Sequence, residues 1–373
     1  MVPGRSSVKM MKQYVASKKG GPFQLATAPY PTPGPDEVCI RSRAVGLNPL
    51  DWKNLYYGEM VKTWPEVFGI DAAGVIEVVG ANVTALKAGD AVVSLAGHGG
   101  RAGAFQDVAT VPAHFASKKP SAWTFEQAAS VPICYLTAAA AVTKGLGVPL
   151  PYLVEAQKAA QKAAQKASGN LDEEVRDPLS PNIGIDNSSS ICSVLVVGGS
   201  SGVGSSAVQL LRIALPSATI LTTNSPKHNA HVTGLGATTC IDRSNPKLVE
   251  AVKAASPDGK GVDAIIDAVA GAAEKPDLFD VLRKDGPRLY SQVFTGDKIA
   301  VPEGVVGTPV FGRMTFQTPG GMNAMSKLVD LVEEGSFKLP LQVEVVGKGL
   351  DGIGPGLEKL KAGVSGTKYV VSL

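Results

Sequence analysis

Ser193-Val194-Leu195-Val196-Val197-Gly198-Gly199-Ser200-Ser201-Gly202-Val203-Gly204-Ser205-Ser206-Ala207-Val208-Gln209-Leu210-Leu211 is the stretch whose reading decides the fold. The apolar run at 193–197 predicts a buried strand, the glycines and serines a tight turn, and the remainder a helix with one apolar face. A loop almost without side chains lets its own N–H groups approach a pyrophosphate, and the positive end of the following helix faces the same anion. The order of strand, glycine turn and helix therefore predicts a dinucleotide site. Gly199, Ser200, Ser201, Gly202 and Val203 form its expected cofactor contacts.

Downstream of this turn the pattern alternates. Strands are expected at 218–223, 238–241, 262–267 and 287–293, with helices at about 226–234, 246–255 and 274–283. Such alternation implies an α/β fold, a doubly wound parallel sheet with helices on both faces. Ala268 and Val269 follow the third of these strands and join the expected cofactor set. The tail adds a helix at 322–334 and a strand at 368–373. Upstream, short β-type runs at 38–46, 74–80, 90–95 and 104–111 are broken by glycine and proline, which suggests a compact, mostly β, barrel-like domain. From residue 124 the rhythm turns helical, with alanine-rich segments at 126–130 and 135–144. Between them and the glycine turn lies an excursion at about 151–190. An Ala/Gln/Lys repeat at 155–167 has strong helix propensity and runs into a Pro/Ser/Asn-rich stretch at 177–190. This is expected to be a solvent-exposed helix with a loop; a docking element for a partner is the alternative.

Composition bounds the function. The 373 residues suffice for two domains and a sizeable core. A formal charge of +3 with 18% charged residues carries no nucleic-acid signal. The longest apolar run, 131–142, is too short for a membrane span and is interrupted by Thr137. The polar N-terminus holds no apolar signal core, so a cytoplasmic protein is expected. Cys39, Cys134, Cys192 and Cys240 are scattered without paired spacing, which suits reduced thiols. His98, His114, His228 and His231 do not have the arrangement of a metal site, and His98 and His114 are expected on the surface or in loops.

About twenty residues past the glycines, a carboxylate would bind the adenosine ribose hydroxyl and select NAD. This chain has Asn224-Ser225-Pro226-Lys227-His228 there. With no carboxylate to repel a 2′-phosphate, and with a hydroxyl, a cation and an imidazole at a helix start, the segment favours NADPH. Ser225-Pro226 also reads as a helix cap. Arg243 either joins the phosphate contacts or lies free on the surface.

The segments Asp36-Glu37-Val38, Gly46-Leu47-Asn48-Pro49-Leu50-Asp51-Trp52-Lys53, Phe68-Gly69-Ile70-Asp71-Ala72-Ala73-Gly74-Val75-Ile76, Lys87-Ala88-Gly89-Asp90-Ala91-Val92 and Gly366-Thr367-Lys368-Tyr369-Val370-Val371 occur in that order around the glycine loop. Together they resemble the medium-chain dehydrogenase/reductase superfamily over nearly the whole chain outside 151–190. The resemblance implies a GroES-like β-barrel domain at 1–135, a Rossmann NADP-binding domain at 136–315 with the insertion at about 151–190, and a return at 316–373 that completes the first domain. Zinc members carry a Cys in the first motif and His-Glu in the second. This chain has Gly46-Leu47-Asn48 and Ile70-Asp71 instead, so no metal is expected. The remaining likeness is to the zinc-independent quinone oxidoreductases, alkenal reductases and enoyl reductases. Asn48-Pro49-x-Asp51-x-Lys53 and Ile133-Cys134-Tyr135-Leu136-Thr137-Ala138-Ala139 resemble most the fungal trans-acting enoyl reductases that serve polyketide synthases in secondary metabolism.

That likeness implies that Asn48, Pro49, Leu50 and Asp51 lie against the cofactor, and that Ile133, Tyr135, Thr137 and Ala138 lie against the substrate. The chemistry agrees. Reducing an α,β-unsaturated carbonyl delivers hydride to the β-carbon, so hydrogen-bond donors must stabilise the enolate before a proton reaches the α-carbon. Thr137 is the expected donor unless it only packs or caps its helix. Lys53 either orients the site or relays the proton, or pairs with Asp51 at the surface; solvent is another proton source. Tyr56 and Tyr57 line the cleft or merely pack. The expected function is NADPH-dependent reduction of enoyl thioesters, free or on an acyl carrier protein. The alternatives are a quinone or 2-alkenal oxidoreductase and a non-catalytic NADPH-binding regulatory protein. Neither nucleic acid nor membrane is an expected partner, and monomer and homodimer both stay open.

Overall fold

A computed structural model describes residues 9–58, 60–97, 99–168, 186–294, 296 and 298–373. His98 and the portion of the insertion at 169–185 lie outside them. The chain forms two compact units, Met1–Pro132 with Gln342–Leu373, and Ile133–Leu341.

In the first unit, β1 (Met10–Ala16) and β2 (Phe23–Pro29) pair antiparallel. Next come β3 (Glu37–Gly46), helix α1 (Pro49–Tyr57) and β4 (Glu66–Val67), which adds to the other edge of β1. The strands β5 (Asp71–Val79), β6 (Ala91–Leu95), β7 (Val108–Pro112) and β8 (Ala116–Lys118) follow, with β3 paired antiparallel to both β5 and β7. The strand expected at 104–111 begins only at Val108. The amides of Ala104 and Phe105 donate instead to the carbonyls of Gly69 and Phe68. Helix α2 (Phe125–Ala129) starts at Thr124 with a capping box: Gln127 N–H donates to Thr124 Oγ1 and Thr124 N–H to Gln127 Oε1.

The second unit opens with α3 (Pro132–Ala140), which continues in the wider π form over 141–145. Helix α4 (Pro151–Ser168) takes in the Ala/Gln/Lys repeat. Its first turn is anchored rather than solvent-exposed, because Leu153 is buried and the Tyr152 hydroxyl meets that of Tyr135 at 3.0 Å. The alternation then runs through β9 (Ser193–Val197), α5 (Gly202–Ala214), β10 (Thr219–Asn224), α6 (Asn229–Gly234), β11 (Thr239–Asp242) and α7 (Leu248–Ala255). It ends with β12 (Ala264–Asp267), α8 (Gly271–Glu274), β13 (Leu289–Val293), β14 (Val306–Val310) and α9 (Ala324–Glu333). The sheet order is β11-β10-β9-β12-β13-β14, parallel throughout. A parallel sheet covered on both faces needs apolar strands, and every residue of β9 is buried. The helix expected at 274–283 is absent: α8 stops at Glu274, and Pro276, lacking an N–H, starts a 3-10 turn at Pro276–Val281.

The chain then returns to the first unit with β15 (Gln342–Lys348), α10 (Ile353–Lys361) and β16 (Thr367–Ser372). They complete a sheet of order β15-β16-β3-β5-β6-β8, with β7 on β3. Leu47, Leu55, Phe68, Phe105, Leu357 and Val371 share one core there, each large side chain contributing about 1.5–3 kcal/mol by burial. The return begins at Gln342, whereas the sequence places it at 316. The intervening segment is tied into the second unit, since Thr315 Oγ1 donates to the Leu136 carbonyl and Tyr135 Oη to that of Ala324.

Candidate active site

In the second unit the glycine turn sits at the C-terminal end of β9. Ser201 caps α5: its backbone is extended and its Oγ accepts the Gly204 N–H at 3.0 Å. Gly198 has φ +80°, and a Cβ there would lie 2.5 Å from Val269 Cγ1, so the turn needs glycine. Val269, 53% exposed, thus stands directly over the turn. Behind it, the buried carboxylate of Asp267 fastens the 268–272 bend by accepting from the amides of Gly271 and Ala272 and from the Tyr290 hydroxyl. Burial and that carboxylate hold the Tyr290 phenol well above its ordinary range. The structure therefore brings Gly199 to Val203, Ala268 and Val269 around the N-terminus of α5, an arrangement that a dinucleotide would fit.

At the end of β10, Asn224 occupies the place of the selecting carboxylate. Its side chain is locked, accepting from Thr222 Oγ1 and donating to Asn229 Oδ1. Ser225 stands at the N-cap before Pro226, yet its side chain makes no capping hydrogen bond, contrary to the cap read from the sequence. Arg243 N–H donates to the Asn224 carbonyl, which sets Arg243 beside the Ser225-Pro226-Lys227-His228 turn. The cationic character of the cluster registers on His228, held below its ordinary pKa by partial burial and by Lys227, His231 and Arg243. Lys227 and Arg243 are exposed.

On α3, Ile133 is half-buried and Thr137 is 5% exposed, on one face of the helix. Gly312 lies against both, where a Cβ would be 2.7 Å from Ile133 Cδ1 and 3.0 Å from Thr137 Oγ1. Thr143, just past this helix, spends its hydroxyl on the Ala139 carbonyl one turn back; the Thr137 hydroxyl has no such bond among the described residues. The substrate role expected of Tyr135 does not fit its surroundings. Its ring packs edge-on against Phe337, its hydroxyl meets Tyr152 and Ala324, and burial pushes its phenol far up. Ala138 is likewise fully buried.

In the first unit, Asn48 stands at the N-cap of α1 without a side-chain capping hydrogen bond, Pro49 takes the first helical position, Leu50 is half-buried, and the Asn48 N–H donates to Asp51 Oδ2 at 2.9 Å. Asp51 is wholly buried and its Oδ1 has no partner. Burial pushes its carboxyl up to about 7, against the Asn48 amide and Lys368, and Asp71 adds to the rise. The Asp51–Lys53 pair that the sequence allowed does not form; Lys53 is half-buried on the same helix. Tyr56 is committed to α10, its hydroxyl donating to Glu358, while Tyr57 is exposed against Trp52.

Two site residues escaped the sequence reading. Asn48 Nδ2 donates to Asp71 Oδ2 at 2.9 Å, and Lys368 Nζ donates to Asn48 Oδ1 at 2.5 Å and to Asp71 Oδ2 at 3.2 Å. The only signal was the presence of Asp71 and Lys368 in matching motifs; nothing local pairs them. A zinc ion does not fit these residues. Position 48 offers a carboxamide, Asp71 is bound to an ammonium, and no group of three His, Cys, Asp or Glu among the described residues could hold a metal.

Known proteins agree with this geometry. The family described as the alcohol dehydrogenase GroES-like domain matches residues 34–121. The dehydrogenase orsE of Emericella nidulans is 32% identical over 368 residues, covering 96% of this chain and 97% of the relative. The trans-enoyl reductase tndF of Aspergillus flavipes is 30% identical, covering 96% of this chain and 98% of its own. The quinone oxidoreductase of Pseudomonas syringae pv. Tomato DC3000 superposes with a TM-score of 0.71 at 22% identity, covering 97% of this chain and 100% of that one. With its GroES-like unit and its parallel-sheet Rossmann unit carrying a dinucleotide turn, the chain belongs to the medium-chain dehydrogenase/reductase superfamily of nicotinamide-dependent oxidoreductases.

Proposed function

We propose that this protein is an NADPH-dependent, zinc-independent reductase of carbon–carbon double bonds conjugated to a carbonyl, acting in the cytoplasm on enoyl thioesters, either free or carried by the acyl carrier protein of a polyketide synthase. The observation that carries this reading is the Thr137 hydroxyl, held on a buried helix face without a hydrogen-bond partner among the described residues. A relative named as a trans-enoyl reductase supports the substrate class.

The amides of 199–203, the bend at Ala268 and Val269, and the segment 48–51 would hold the cofactor. Ser225, Lys227, His228 and Arg243 would hold its 2′-phosphate. When bound, NADPH supplies the hydride that reaches the β-carbon. As charge moves onto the carbonyl oxygen, Thr137 Oγ1 donates a hydrogen bond to it, an oxyanion contact. Lys53 then holds the water or ammonium proton that reaches the α-carbon, which restores the thioester carbonyl.

Turnover with NADPH across crotonyl and longer enoyl thioesters, 2-alkenals and quinones tests the reading. Thioesters are the expected substrates. Reduction of quinones with thioesters untouched overturns the substrate class, and cofactor binding without oxidation anywhere on the panel overturns the enzyme reading. Thr137→Val keeps the side-chain volume and removes the donor. It should lower kcat by roughly 100-fold with cofactor affinity unchanged, the scale of losing one oxyanion donor. A change below about threefold would remove Thr137 from the chemistry.

A further inference from the structure

The β3–β16 pairing sets Val370 opposite Gly46, and the same antiparallel register carries Lys368 to Asn48. The β3–β5 pairing sets Asp71 opposite Gly46. Three side chains distant in sequence are thereby delivered to one buried spot, with Lys368 8% and Asp71 0% exposed.

We propose that Lys368 is a positioning residue: a tethered cation that fixes the Asn48 carboxamide so that its oxygen is presented as an acceptor for a ribose hydroxyl of the nicotinamide cofactor. This rests on the reading of Asn48 as a cofactor residue. The hydrogen-bond inventory assigns the direction. A carboxamide has two donor hydrogens and two acceptor lone pairs. Nδ2 is committed to Asp71 Oδ2 at 2.9 Å and to the Gly46 carbonyl at 3.3 Å. One lone pair of Oδ1 accepts from Lys368. An ammonium cannot accept and a carboxylate cannot donate, so the amide has a single orientation and keeps one lone pair on Oδ1 for a ligand. The ligand group it fits is a hydroxyl donor.

The placement also explains why zinc does not fit. Positions 48 and 71 fall within the two motifs that supply metal ligands in the zinc relatives. Here a covalently attached ammonium stands beside both, with Asp71 as its counter-ion. A metal ion at Asp71 would have to displace it.

The test compares Lys368→Met, Lys368→Arg and the charge-balanced pair Asp71→Asn/Lys368→Met. Measurements are thermal stability and titration with NADPH, NADH and 2′,5′-ADP, the last lacking the nicotinamide ribose. Lys368→Met should weaken NADPH binding about tenfold, the scale of one charge-assisted hydrogen bond, and leave 2′,5′-ADP binding unchanged. Lys368→Arg should restore most of the NADPH affinity, and the double variant should regain thermal stability without regaining that affinity. Recovery of both in the double variant, or equal losses for NADPH and 2′,5′-ADP, would show a purely structural role and overturn the proposal. If Lys368→Met does not fold, the double variant decides by the same two ligands. Stoichiometric zinc in the purified protein also overturns it. No acceptor substrate enters these titrations, so inactivity toward enoyl thioesters would overturn the substrate reading and leave this one standing. A wild-type protein that binds neither nicotinamide nucleotide overturns both.

Discussion

Lys368 and Lys227 are the same residue in opposite settings. Lys368 is sealed in the first unit between Asn48 and Asp71, while Lys227 stands exposed in the second beside Ser225, His228 and Arg243. A buried charge must be paired, since removing it from water costs several kcal/mol, and its geometry is therefore fixed by its partners. An exposed charge needs no partner, is screened by salt, and is free to meet an anion arriving from solution. In the roles proposed, the first arrangement would orient a neighbouring group and the second would discriminate between ligands by their charge.

That contrast can be broken at Asp71 first. Asp71→Ala leaves the Lys368 ammonium buried without a counter-ion and should cost roughly 3–5 kcal/mol of stability by chemical denaturation. A loss below about 1 kcal/mol, the scale of an exposed pair, would show that the cluster is solvated and the contrast false. Asp51→Asn sharpens the same side. With a folded-state pKa of about 7 against 3.8 for the free group, the folded protein holds an extra proton between these values. This group therefore makes stability fall as pH rises from about 4 to about 7 and level off above that, a change on the order of 4 kcal/mol. In Asp51→Asn that slope should vanish; parallel wild-type and variant curves would show Asp51 to be solvated in the folded state. The smallest effect is at the exposed rim. Lys227→Ala should weaken NADPH binding by about tenfold at low salt, less at high salt, and leave NADH nearly unchanged. Equal effects on the two cofactors would take Lys227 out of the phosphate site.

The legible parts of the site are those made within one short segment. The turn at 198–204 declares itself because a strand, a glycine bend and a helix start are all local. The missing carboxylate and the cations at Asn224 to His228 are equally local in the chain, and the cofactor they would select is the reading that Lys227→Ala tests. Reading went astray where side chains compete for partners beyond the segment. Tyr135 looked like a cleft residue by motif, yet its hydroxyl is taken by Tyr152 and Ala324. Strands β1, β2, β4, β8, β14 and β15 were not anticipated, and the segment 316–341 falls in the second compact unit, where the Ala324 carbonyl accepts from Tyr135 of α3.

By itself, the amino-acid sequence determined the alternation of strand and helix, the dinucleotide turn and the absence of a carboxylate after β10, since each follows from backbone preference and charge over a few residues. Only the tertiary structure decided that Lys368 closes on Asn48, 320 positions away, and that Asp71 is its counter-ion. Strand register is set by which faces can be buried across the whole sheet, and a one-residue slip would turn each of these side chains to the other face.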